Sequence, residues 1–151
     1  MLARLSLAAG KRRFRDLSEQ EVLALAISSE EEDGQIYTAY AAKLRAQYPA
    51  SAAVFDGMAA EENEHRRRLI ELYQQRFGDF IVPLRREHVA DFYTRRPIWL
   101  IENLGLERIR QEAADMEREA REFYVTAAGR STDVPTRKLL GDLAVAEAGH
   151  Q

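Results

Sequence analysis

The chain has 151 residues, enough for one domain with a real core. Charged residues make up 31% of it, yet acids and bases nearly balance at a net charge of −3, which gives no reason to expect nucleic acid as a partner. The absence of cysteine removes disulfides, zinc ribbons, iron–sulfur clusters and thiol nucleophiles.

No stretch approaches the roughly 18 consecutive apolar residues of a membrane span. The opening "MLARLSLAAGKRR" carries its charges mostly after its short apolar run and reads poorly as a signal peptide. Ala, Leu, Glu, Arg and Gln, good helix formers, fill the rest, and no segment alternates long enough to argue a sheet. A first helix is predicted from "LSEQE", where Ser18 and Glu21 form a capping box, to about Gln47, with Pro49 as the stop. A second runs from near Ser51 to about Phe77 and ends at Gly78. An irregular connection with two prolines, "GDFIVPLRREHVADFYTRRPIWLIENLG", follows. A third helix covers about Leu106 to Ala128, and "GRSTDVP" turns the chain. Asp133 then caps a fourth helix that is still running at the last residue. Short first and third links with one long crossover give an all-α fold, a four-helix bundle of ferritin-like connectivity. Residues 1–151 read as one such domain, cut within its fourth helix.

Each helix has an inward seam. On the first it passes through Leu23, Glu30, Tyr37 and Leu44. On the second it is Phe55, Met58, Glu62, His65, Leu69 and Leu72. The third seam is Ala113, Glu117, Ala120, Tyr124 and Ala127, and the fourth is Leu140, Leu143, Glu147 and His150. Four carboxylates converging in a core lose hydration and repel one another, at several kcal/mol per ion. A pair of cations compensates such a cluster, and Glu with His at i and i+3 can both reach one cation. The halves also repeat. Glu30 and Glu117 are each followed seven residues on by a tyrosine, Tyr37 and Tyr124, and each half ends in Glu-x-x-His. The candidate metal ligands are therefore Glu30, Glu62, His65, Glu117, Glu147 and His150, the six-ligand pattern of di-metal carboxylate bundles. Tyr37 and Tyr124 read equally as core tyrosines and as partners of the ligands. Glu31, Glu32, Glu61, Glu64, Glu119 and Glu122 lie off the seams and read as solvated. His88, in the crossover with no Glu at −3, is not taken as a ligand, and Met58 is core packing. Trp99 anchors the crossover onto the bundle or meets another subunit. The arginines at 66–68 and 85–86 read as surface charge.

"LSEQEVLALAISSEEEDGQIY", "AAEENEHRRRLIELY", "RRPIWLIENLG" and "MEREAREFY" resemble the ferritin-like domain of membrane-bound ferritin. That family is a bacterial rubrerythrin-type protein fused to a vacuolar-iron-transporter-like membrane domain, which this sequence lacks. The six candidate residues match the family's di-iron ligands by position. The resemblance implies two Fe per site, with Mn as the other candidate metal, and Fe(II) oxidation by O2 or hydrogen peroxide. It implies a place in the cytoplasm, at the inner face of the bacterial inner membrane, with iron exported through the membrane part under iron or oxidative stress. By analogy Glu62 and Glu147 bridge the irons, while Glu30 and Glu117 are terminal.

Three functions remain open at this point. The first is a ferroxidase-type oxidoreductase. The second is a rubrerythrin-like peroxidase, disfavoured because no cysteine is present for a rubredoxin module and because Ala120 stands where rubrerythrins bring an extra carboxylate. The third is an iron-binding or sensing module without turnover. Exposed-looking apolar residues of the crossover (Phe80, Ile81, Val82, Phe92, Tyr93, Ile98, Trp99 and Leu100) and the family's paired domains suggest a homodimer.

Overall fold

The computed structural model describes residues 11–149. Four long helices carry the architecture: α1 (Glu19–Leu44), α2 (Pro49–Phe77), α3 (Leu106–Arg130) and α4 (Val134–Ala148). The fold is an all-α four-helix bundle of the ferritin-like kind, with its one long connection between α2 and α3. No helix among the described residues is long and apolar enough to cross a membrane.

The caps lie where the side-chain chemistry puts them. Glu21 N donates to Ser18 Oγ (3.1 Å) and Ser18 N donates to Glu21 Oε1 (2.9 Å), closing the box that starts α1. Asp133 Oδ2 accepts from Thr136 N (3.1 Å) and starts α4. Gly78 ends α2 with φ 91, a left-handed conformation that suits glycine. Boundaries shift by a few residues. α1 stops at Leu44 instead of Gln47, and α2 begins at Pro49 itself, because proline at a first helical position has no N–H to lose. α3 continues past Ala128 to Arg130.

α1 and α2 pack as one antiparallel pair and α3 and α4 as the other. α1 also touches α3, and α2 touches α4, which closes the bundle. Among the described residues the seams are buried, with one drift: Tyr73, at 0% exposure, replaces Leu72 as the last inward residue of α2. An untwisted helix repeats every 3.6 residues, so Tyr73, five turns on from Phe55, shares its face while a strict heptad reading drifts off it. The first turns of α1 are buried on every side, from Val22 through Ile27. This part of α1 is covered by its helical neighbours and by Leu84 and Val89 of the crossover.

The core has two apolar layers. One gathers Leu23, Leu69, Tyr73, Phe123 and Leu140, and the other Ile36, Tyr40, Phe55, Ile109 and Met116. Between them, along α1, α2 and α3, lie the buried polar residues Glu30, Asp33, Glu62, His65 and Glu117. A polar layer clamped between two apolar ones is shielded from water at both ends.

The crossover wraps back over α1. It holds two short 3-10 turns, Arg86–His88 and Ile98–Asn103. It also pairs with the segment before α1: Ala90 N donates to Arg12 O (2.8 Å) within the isolated bridge Arg12–Val89. Ile81, Val82, Phe92 and Tyr93 pack against the core, whereas Phe80, Ile98, Trp99 and Leu100 remain exposed. Trp99 is 75% exposed, so it does not anchor the crossover; Ile101, at 2%, does. The arginine pair at 85–86 is not plain surface charge either. Arg85 is exposed, but Arg86 turns inward and is 8% exposed.

Candidate metal centre

Glu30 comes from the middle of α1, Glu62 and His65 from one face of α2, and Glu147 from the last turn of α4. Each offers one ligand atom, and these atoms lie within 4.8 Å of one another, all buried. His65 Nδ1 is 3.1 Å from Glu30 Oε2 and 3.7 Å from Glu147 Oε1. Tyr124 Oη, from α3, donates to Glu30 Oε1 at 2.7 Å. Glu117 is buried on α3, 5% exposed, but is not within that mutual reach of the other four. The arrangement is therefore one compact group of three carboxyls and one imidazole, with a fourth buried carboxyl on α3 outside it. His150, the sixth candidate, lies outside the described residues.

The electrostatics of this layer are unfavourable for carboxylates alone. Burial, and then the charge of Glu147, pushes the Glu30 carboxyl well above its usual range. Burial, and then Glu30, does the same to Glu62. Glu147 is pushed up to about 10, first by burial and then by Glu62. Burial also lowers the pKa of His65, so its contacts with Glu30 and Glu147 join a neutral imidazole to carboxylates and are not ion pairs. With its proton on Nδ1 the ring donates to Glu30. With the proton on Nε2, the same Nδ1 presents a lone pair to the centre of the group.

Both oxygens of Glu62 are buried and meet only the carboxyl groups of Glu30 and Glu147, so three acidic groups share one dry volume. Among the described residues, no arginine or lysine forms an ion pair with Glu30 or Glu62. A buried donor set of carboxylate oxygens and one imidazole fits divalent first-row cations.

The two tyrosines differ. Tyr124 holds a ligand candidate directly. Tyr37 stacks on Phe55 (6.1 Å between ring centres) and makes no counterpart hydrogen bond among the described residues. Its phenol is kept protonated by burial and then by Asp33, Glu62 and Glu147. Met58 is packing, and His88 Nδ1 accepts from Arg85 N (3.0 Å) in the crossover.

The sequence reading missed the ion cluster next to Glu30. Asp33, 3% exposed, accepts from Arg86 Nη1 (2.8 Å) and Arg95 Nε (2.8 Å). Arg86 also reaches Glu32 (2.8 Å), and Arg95 reaches Glu119 (2.7 Å), so these two glutamates are ion-paired and not simply solvated. Glu31, Glu61, Glu64 and Glu122 are exposed. Burial opposes ionisation of Asp33, but the two guanidiniums outweigh it and hold the carboxyl below its usual value. A signal for Asp33 existed. It stands at Glu30 plus three, the spacing that identified His65 from Glu62.

A family model described as Rubrerythrin matches residues 21–151. No curated protein matches the chain. A solved structure of a hypothetical protein from Pyrococcus furiosus is similar at 23% identity and a TM-score of 0.71, over 93% of this chain and 89% of that one. At that identity it speaks for the fold alone.

Proposed function

The chain belongs to the rubrerythrin family, and on that premise we propose that it is a di-iron carboxylate domain that binds Fe(II) and oxidises it with O2 or hydrogen peroxide. The observation that carries this reading is the buried, mutually reachable set Glu30, Glu62, His65 and Glu147. Glu30, Glu62, His65, Glu117, Glu147 and His150 would hold the two irons, one histidine to each, with Glu62 and Glu147 shared between them and Glu30 and Glu117 each serving one. Four carboxylates match the charge of two ferrous ions and tolerate its rise on oxidation, because glutamate can change denticity. The reaction consumes protons as well as electrons: two Fe(II), one peroxide and two protons yield two Fe(III) and two waters. Tyr124 fixes the rotamer of Glu30 through its 2.7 Å hydrogen bond. The apolar layers above and below exclude bulk water from the reacting volume.

Iron is the metal proposed, with manganese as the competitor. Within a longer protein of the membrane-bound ferritin type, the domain would feed iron to an exporting membrane part from the cytoplasmic side. A homodimer is also proposed, built on the exposed Phe80, Ile98, Trp99 and Leu100. Two other readings use the same ligands: an iron-binding or sensing module without turnover, and a peroxidase fed by an external electron donor. One experiment separates all three. Anaerobic Fe(II) titration should saturate near two per chain. Oxidant consumption should then be stoichiometric with iron, and it should recur when fresh Fe(II) is added. Uptake without oxidant consumption leaves the binding module. Consumption that continues only with an added reductant and no iron turnover leaves the peroxidase.

A further inference from the structure

A small cavity lies between α1, α3 and the crossover, with Ser29, Glu30, Arg86, Glu119 and Tyr124 among its walls. Its volume is about 10 Å3, close to the roughly 10–15 Å3 that one water centre requires. Two of its side chains carry polar hydrogens that nothing among the described residues receives. Ser29 is 5% exposed and its Oγ has no hydrogen-bond partner. A helical serine ordinarily returns its hydroxyl to a carbonyl one turn back. The adjacent Ser28 does so, to Leu25 O at 3.1 Å, but Ser29 does not. Arg86 is 8% exposed and its Nε is likewise without a partner, although its terminal nitrogens are engaged by Glu32 and Asp33.

Both orphans are donors, and the carboxylates of Glu30 and Glu119 stand on the same walls as acceptors. The missing occupant therefore accepts hydrogen bonds and also donates them. Dioxygen does not donate and accepts poorly. An anion would meet the carboxylates, and a cation would meet the Arg86 guanidinium. A hydroxyl-bearing neutral molecule with one or two heavy atoms meets every requirement. The cavity holds one oxygen as it stands. A second fits if the half-buried Phe92 or Tyr93 on its wall moves outward.

We propose that this cavity is a binding site for one small hydroxylic molecule, water at rest and hydrogen peroxide when present, held by Ser29 and Arg86 as a vestibule beside Glu30. The peroxide part rests on the iron-oxidising function proposed above, whereas the site itself does not. Crystals of the metal-free full chain test it. The expected result is one density feature within hydrogen-bond distance of both Ser29 Oγ and Arg86 Nε. A dry cavity overturns the proposal. Soaking with hydrogen peroxide separates the two sources: elongated density identifies peroxide, and an unchanged single peak assigns the site to water alone. Ser29→Ala should lose the feature while retaining its melting temperature and its Fe(II) stoichiometry. In solution, Ser29→Ala should raise KM for peroxide about tenfold, a usual cost for a supporting contact. It should leave kcat and the O2-driven reaction nearly unchanged. Equal slowing with both oxidants would mean a general structural defect and would refute the vestibule. If the iron reading itself fails, the cavity will still be filled but no iron will be taken up.

Discussion

Two buried charge clusters sit one helical turn apart on α1, and the chain treats them in opposite ways. Asp33 is met by two arginines from the crossover, so its carboxyl ionises more readily than usual. Glu30, with Glu62 and Glu147, is held in its protonated form by burial and mutual repulsion. Burial alone does not explain the difference, since Asp33 and Glu30 are equally hidden. The arginines explain it: Asp33 receives two of them, whereas among the described residues no arginine or lysine pairs with Glu30 or Glu62, which fits a centre that takes a positive charge from outside. The same contrast breaks the internal repeat. Three residues after Glu30 stands Asp33, and three residues after Glu117 stands Ala120. The crossover exists only once, so only one half of the repeat has arginines to pair.

The pH dependence of metal-free stability is the largest expected consequence, and the clusters act with opposite sign. A carboxyl whose folded pKa is raised stabilises the fold at low pH, and that contribution is lost as pH rises. For Glu147 the window runs from the unfolded value of 4.5 to about 10. Asp33, lowered from 3.8, contributes above that value and loses its contribution as pH falls through the lower folded pKa. The melting temperature of the metal-free protein should therefore fall steadily from about pH 5 to pH 9, and bound metal should remove most of that slope. A flat metal-free profile would erase the distinction between the clusters.

Substitutions should also split by sign. Asp33→Ala leaves two buried guanidiniums without their shared partner and should cost about 3–5 kcal/mol in chemical denaturation. Glu62→Gln should do the reverse, raising metal-free stability at neutral pH by roughly 1 kcal/mol or more while abolishing high-affinity metal uptake. If Glu62→Gln destabilises the metal-free protein, the cluster is not the strained one. The tyrosines give a smaller contrast. Tyr124→Phe removes a bond to Glu30 and should cost about 1.5–3 kcal/mol where that carboxylate is ionised. Tyr37→Phe, which removes no such bond, should cost clearly less. Glu64→Ala, exposed and off the seam, should stay within about 0.5 kcal/mol and leave the metal stoichiometry unchanged. A large effect there would blur the boundary of the site.

The ligand candidates were legible because they sit inside helices, where position on a face follows from spacing alone. Glu30, Glu62, Glu117 and Glu147 interrupt otherwise apolar stripes, and His65 follows Glu62 by one turn. Asp33 shared that face but looked like one more acid in "EEEDG", because nothing local indicates that an arginine more than fifty residues away will reach it. Trp99 failed in the other direction as an anchor, one of its two readings. Its size suggested an anchor, yet the 3-10 turn that carries it rotates Ile101 inward and leaves the indole in solvent.

The sequence by itself determined the helices, their caps, the bundle connectivity and the inward place of Glu30, Glu62, His65 and Glu117 in the central polar layer. Each of these rests on interactions within a few residues of one another, or on a period the helix imposes. The tertiary structure alone decided which buried acids receive arginines, which tyrosine bonds Glu30, and where Ser29 and Arg86 leave hydrogens unspent. Those outcomes depend on how an aperiodic crossover lies across α1 and α3, and an irregular segment takes its path from the surface it packs against.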